Sequence, residues 1–131
     1  MWSQTQLKQF ATLDDFYVAP FHPDMQTTGT LTYIWSVGAD GNLYIRGGYG
    51  QQSRWYAAAV AQQAGHIKLG GQLYNVTFEI VPEAGNETLM DAIDQAYIDK
   101  YTAKSARSTK HMTEKSADGP RTATVRVLPR N

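Results

Sequence analysis

The chain has 131 residues, with twelve Lys and Arg balanced by twelve Asp and Glu, and it contains no cysteine. That length supports one hydrophobic core rather than two, and the lack of cysteine excludes disulfides, thiolate metal sites, iron–sulfur clusters and cysteine nucleophiles. The charge is uneven: residues 1–99 hold Lys8, Arg46, Arg54 and Lys68 against ten carboxylates, while residues 100–131 hold eight cations against Glu114 and Asp118.

Ser3-Gln4-Thr5-Gln6 has the spacing of a capping box, and Trp2 with Leu7 completes a hydrophobic staple, which predicts a helix over residues 4–12. Phe16-Tyr17-Val18-Ala19 reads as a short strand stopped by Pro20 and Pro23. Residues 28–37 are rich in threonine, aromatic and β-branched residues, which predicts a strand. Asp40-Gly41 is a tight hairpin turn, and Leu43 to Arg46 is the returning arm.

A glycine-rich turn, Gly47-Gly48-Tyr49-Gly50, comes next. Ser53 is an expected N-cap, the alanine-rich run from Trp55 to Gln63 an expected helix, and Gly65 its closing C′ glycine. His66–Leu69 and Tyr74–Val81 are two strands joined at Gly70-Gly71; the second alternates, with Val76, Phe78 and Ile80 on one face. Asn86 caps a helix whose Leu89, Met90, Ile93, Tyr97 and Tyr101 form one stripe. Residues 102–119 are polar and basic and read as a solvated helix or mobile loop. Arg121 to Leu128 alternates again, with Ala123, Val125 and Val127 inward. At least five strands joined mostly by short turns suit one small antiparallel barrel over residues 1–131, with helices at its rim.

The chain start lacks the basic segment and apolar core of a signal peptide, and no apolar run reaches the length that spans a bilayer. A cytoplasmic protein without a membrane partner is therefore expected. A basic tail on an acidic body suggests either nucleic acid or a phosphorylated ligand, or simple packing of the tail onto the body or onto a second copy of it. Packing is the preferred reading, and nucleic acid is set aside, because the tail lacks interleaved aromatics.

The chemistry centres on the junction from Leu43 to Tyr56. Arg46 ends a strand, Gly47, Gly48 and Gly50 let the backbone approach a ligand, and Ser53 and Arg54 open a helix. Open amides, a helix dipole and two guanidinium groups make an anion site; the competing reading is a tight turn with solvated arginines. The run is neither a Walker loop nor Gly-x-Gly-x-x-Gly. Tyr33, Trp35, Tyr44, Trp55 and Tyr56 are candidates to stack on a flat heterocycle, with core packing the alternative for each; Tyr33 and Trp35 share one strand face by the period of two. His22, His66 and His111 have no partner at ligand spacing, so no metal site is expected. Glu87, Asp91 and Asp94 read as a solvated helix face, and no catalytic residue is assigned.

The segments Thr32–Val37, Leu43–Arg46, Ser53–Tyr56, Ala64–Ile67 and Ala123–Pro129 resemble a family of uncharacterised bacterial proteins known as a domain of unknown function. That family is similar to the flavin-binding split barrels, especially the deazaflavin-dependent nitroreductases. The resemblance implies an antiparallel split β-barrel, a homodimer, and FMN or deazaflavin as cofactor of an oxidoreductase. It matches Arg46, Gly48, Ser53 and Arg54 to the phosphate-holding segment and Trp55 to the helix-entry tryptophan, with Trp35 or Tyr33 lining the ring pocket. Where the nitroreductases carry Lys or Arg-Ser-Gly, this chain has Gln26-Thr27-Thr28-Gly29. A non-catalytic module for a small anion or another small molecule is the alternative on the same barrel.

Overall fold

The computed structural model describes residues 1–130. Seven strands form one antiparallel sheet: β1 (Tyr17–Pro20), β2 (Thr32–Tyr33), β3 (Ser36–Ala39), β4 (Asn42–Arg46), β5 (Ala64–Leu69), β6 (Gln72–Val81) and β7 (Thr124–Pro129). Four α-helices accompany them: α1 (Gln4–Thr12), α2 (Arg54–Gln62), α3 (Glu87–Tyr101) and α4 (Ala106–Thr113). The strand order is β2-β1-β5-β6-β7-β4-β3.

That order contains the main fact of the architecture. β2 and β3 lie at opposite edges of the sheet, yet only Ile34 and Trp35 separate them in the chain. Three peptide steps reach about 10 Å at most, so the sheet must curl until its edges meet. The result is an α+β fold built on a curled half-barrel of the split-barrel kind. The residues expected to form one strand are thus two: Thr32 and Tyr33 pair with β1, while Ser36 to Ala39 pair with β4. Propensity favoured strand throughout, but barrel closure requires a break where the chain changes edges.

Inside the curl, Val18, Leu43, Ile45, Ile67, Val76, Phe78, Val125 and Val127 form the main core with Trp2, Phe10 and Trp55. The capping box at the start of α1 is present in both directions. Trp2 is buried edge-on against Phe10 and Tyr74, and its Nε1 donates to the carbonyl of Val127 at 2.7 Å. The start of the chain is thereby fastened to β7. On the other side of the sheet, α3 lays Met90, Ile93, Tyr97 and Tyr101 over Val37, Tyr44 and Val81. The expected apolar stripe is the buried one.

Two local expectations fail for identifiable reasons, and a third is met only in part. Ser53 occupies the N-cap of α2, but its hydroxyl accepts from Tyr49 N–H at 3.0 Å instead of capping the helix. Gly65 is not the C′ residue: Gln63 takes the left-handed conformation (φ 60°), and Gly65 lies within β5 opposite Pro20. Residues 102–119 are not simply solvated. They include α4, whose Thr109 and Met112 are buried.

The Asp40-Gly41 turn is as expected, with both residues at positive φ and Ala39 paired with Asn42.

Candidate functional site

The glycine-rich turn and the start of α2 meet the break between β2 and β3 at a groove of about 530 Å³. Its walls include Tyr33 and Ile34 on one side, Gly48 and Tyr49 on another, and Ser53, Arg54 and Trp55 at the helix start. A neighbouring hollow of about 430 Å³ shares Thr32, Arg54 and Trp55 and is lined further along by Phe21 and His22. Arg54 and Trp55 therefore face both spaces. Arg54 is exposed and has no carboxylate within ion-pair distance among the described residues. A further hollow of about 520 Å³ at the start of α3 is bordered by Asp40 and Glu87, which makes it unsuited to an anion.

Five of the eight expected site residues converge on the first groove: Tyr33, Gly48, Ser53, Arg54 and Trp55. Gly47 stands just behind it; a Cβ there would lie 2.6 Å from the Gly50 carbonyl oxygen and 2.6 Å from Ser53 Oγ. Gly48 has open space around it, so the backbone is bare to the groove at that point. The Ser53 hydroxyl is committed to the turn through Tyr49 N–H, which leaves Arg54 and the first amides of α2 as the donors.

Arg46 is placed elsewhere, and this corrects the expectation that it holds phosphate. It is fully buried: its Nε donates to Thr124 Oγ1 at 3.0 Å, and Nη1 to Asp94 Oδ1 at 2.6 Å and the Met112 carbonyl at 3.0 Å. Nη2 points to the Met90 carbonyl, and the guanidinium lies 5.4 Å from the Tyr97 ring centroid. Strand alternation explains the outcome. Leu43 and Ile45 face the inner core, so Tyr44 and Arg46 face α3.

Trp35 is also elsewhere. It stacks on Tyr101 at 4.0 Å with a 2° interplanar angle, because the break at residues 34–35 removes the common face it was expected to share with Tyr33. Tyr44 is buried beneath Arg126, and Tyr56 is buried beside Trp55.

Sequence reasoning missed Asp94. Expected on a solvated face, it is shared by Arg46 and Arg121. Arg121 is itself buried and also reaches Glu83 at 3.2 Å. These contacts, with Arg126–Glu79 and Lys104–Asp14, bear out the reading that the basic tail packs on the acidic body. Ile34 and Tyr49 were missed as wall residues; the aromatic set inside Gly48-Tyr49-Gly50 was the available signal for Tyr49.

A curled antiparallel barrel with a groove at a strand–turn–helix junction defines a small split-barrel-like α+β protein. The chain belongs to the bacterial family DUF2255, described as an uncharacterized protein conserved in bacteria, whose model matches residues 6–127. A search of the curated proteins finds no match. Among the described residues, no helix is long and apolar enough to cross a membrane.

Proposed function

We propose that the groove between Tyr33, Gly48 and Trp55 binds a flat, anionic cofactor of the flavin class, FMN or deazaflavin, and that the chain serves as an oxidoreductase or carrier of that cofactor. The observation that carries this reading is the coincidence, in one space of about 530 Å³, of an apolar aromatic wall with the unpaired Arg54 at the open end of a helix. Such pockets join an apolar body to a few polar groups that fix orientation. The residues fit the group: Tyr33, Ile34 and Trp55 offer faces for a ring, and Arg54 with the first amides of α2 offers donors for a phosphate. When bound, the cofactor supplies the electron transfer, and the chain's part is to orient it and limit water.

Titration with FMN and with deazaflavin, followed by quenching of their fluorescence, tests the reading. Affinity tighter than about 100 μM for one of them is expected, a modest value on the affinity scale. Arg54→Ala should weaken it by about 1.5–3 kcal/mol, the range for a hydrogen bond to a charged group. No binding to either compound would remove the flavin reading.

The withdrawal of Arg46 into the α3 interface favours a second reading. With one cation fewer at the groove, a non-catalytic module for another small anionic molecule uses the same walls. Thermal stabilisation by ligands without redox chemistry, and none by flavins, is its signature. A cytoplasmic homodimer goes with the first reading: Leu31, Tyr33 and Tyr49 are exposed apolar residues at or next to the groove. Sedimentation equilibrium measures that association directly.

A further inference from the structure

Two residues beyond the groove's own lining contact its walls. Lys104, in the turn before α4, donates from Nζ to Tyr33 Oη at 2.9 Å and pairs with Asp14. His111, on α4, touches the Gly48 carbonyl through Nε2 at 2.7 Å. A carbonyl only accepts, so Nε2 carries the proton in this contact. Tyr33 and Gly48 belong to different walls of the groove. The turn and α4 therefore bridge those two walls.

Arg107 lies one turn before His111, so the two share a helix stripe. Arg107 is exposed and has no carboxylate partner within ion-pair distance among the described residues. Lys104 is three residues earlier. Arg107 thus lies in sequence between the two residues that touch Tyr33 and Gly48, and among the described residues it is the cation of the three without an ion-pair partner.

Deepening the reading above, on which it rests, we propose that α4 forms an anion-recognising wall of this groove. Arg107 reads a phosphate or carboxylate arm of the ligand. His111 is a positioning residue that fixes the Gly48–Tyr49 wall by donating to the Gly48 carbonyl. The ligand class is then a planar molecule with a negatively charged arm directed toward α4, distinct from a neutral heterocycle held by its ring alone.

FMN and riboflavin have the same ring and differ in the phosphate, so their dissociation constants test the wall. The wild-type chain should bind FMN at least tenfold tighter than riboflavin. Arg107→Ala should lose about tenfold for FMN and less than twofold for riboflavin. His111→Ala should weaken both, and His111→Gln, which keeps a donor, should restore both. An FMN-to-riboflavin ratio unchanged by Arg107→Ala, with both flavins bound, overturns the anion wall and leaves the flavin reading standing. If neither flavin binds, the flavin reading fails, and titration with pyrophosphate decides the wall separately. A shift of the His111 ring proton resonance, absent in Arg107→Ala, retains it; no shift removes it.

Discussion

Arg46 shows how one side chain can carry more of the fold than its sequence context suggests. Its guanidinium joins β4 to α3 through Asp94, to α4 through the Met112 carbonyl and to β7 through Thr124. Removing one partner of a buried ion pair typically costs about 3–5 kcal/mol, because the remaining charge stays buried. Asp94 retains Arg121, so Arg46→Met should cost about 3 kcal/mol, the lower end of that range, read from urea unfolding. Arg46→Lys should recover little of it, since a lysine cannot reproduce the fork to three elements.

Lys100 gives a prediction in pH at the same scale. Its Nζ donates to the carbonyls of Phe10 at 3.1 Å and Ser36 at 2.8 Å, fastening α1 and α3 to β3. Burial lowers its pKa from 10.5 to about 8, against the opposing pull of Asp14 and Asp15. The unfolded chain therefore binds more protons than the folded one between pH 8 and 10.5. Stability from this group rises with pH across that window, and below it the cost of holding the charged amine is fully present. The buried tyrosines act in the opposite direction only above pH 10, since burial raises Tyr97 and Tyr101 above the usual 10.0. Comparing wild type with Lys100→Met by chemical unfolding from pH 7 to 10 isolates the term: the difference between them should move in favour of the wild type as pH rises.

Among the elements, β1 depends on close backbone approach. Gly65 in β5 sits opposite Pro20, and a Cβ there would lie 2.5 Å from the Ala19 carbonyl oxygen and 2.6 Å from Pro20 Cα. Both are main-chain atoms, so no side chain can swing away. Gly65→Ala should destabilise by about 1–3 kcal/mol, as overpacking does. Amide exchange in residues 17–19 and 64–66 should rise more than in β3 and β4, which pair with each other away from the collision. The break between β2 and β3 also belongs to this scale. It places Tyr33 in the groove and Trp35 on Tyr101, and so divides two aromatics that an unbroken strand would have kept together.

At the scale of the molecule, the two edges of the sheet meet at residues 33–36, and the groove lies beside that seam. A ligand seated there touches β2, the glycine-rich turn and α2 together. It should stabilise the whole fold by mass action, about 2.7 kcal/mol at a hundredfold excess over its dissociation constant. With FMN as the probe, differential scanning calorimetry should show a melting temperature that climbs with ligand concentration, whereas a fixed melting temperature excludes FMN as the ligand of the groove.

Much of the fold was legible locally. The capping box before α1, the Asp40-Gly41 turn, the alternation in β6 and the stripe on α3 are encoded by neighbours within a few residues, and each forms as the pattern predicts, whereas the strand expected from Arg121 begins only at Thr124, after a 3-10 turn over Pro120–Ala123. The groove was legible in part for the same reason, because Gly48, Ser53, Arg54 and Trp55 lie close together in sequence around one turn. What tertiary structure decided was the assignment of charges and faces. Arg46 and Arg54 look alike as basic residues flanking a glycine turn. One faces α3 and is consumed by Asp94, and the other faces open space, because strand alternation and barrel closure fix their directions. The ordering of α4 depended on partners far along the chain: Arg46 at Met112 and Gly48 at His111. Local propensity acts over a handful of residues, whereas a buried ion pair or a curled sheet edge exists only after segments distant in sequence have met.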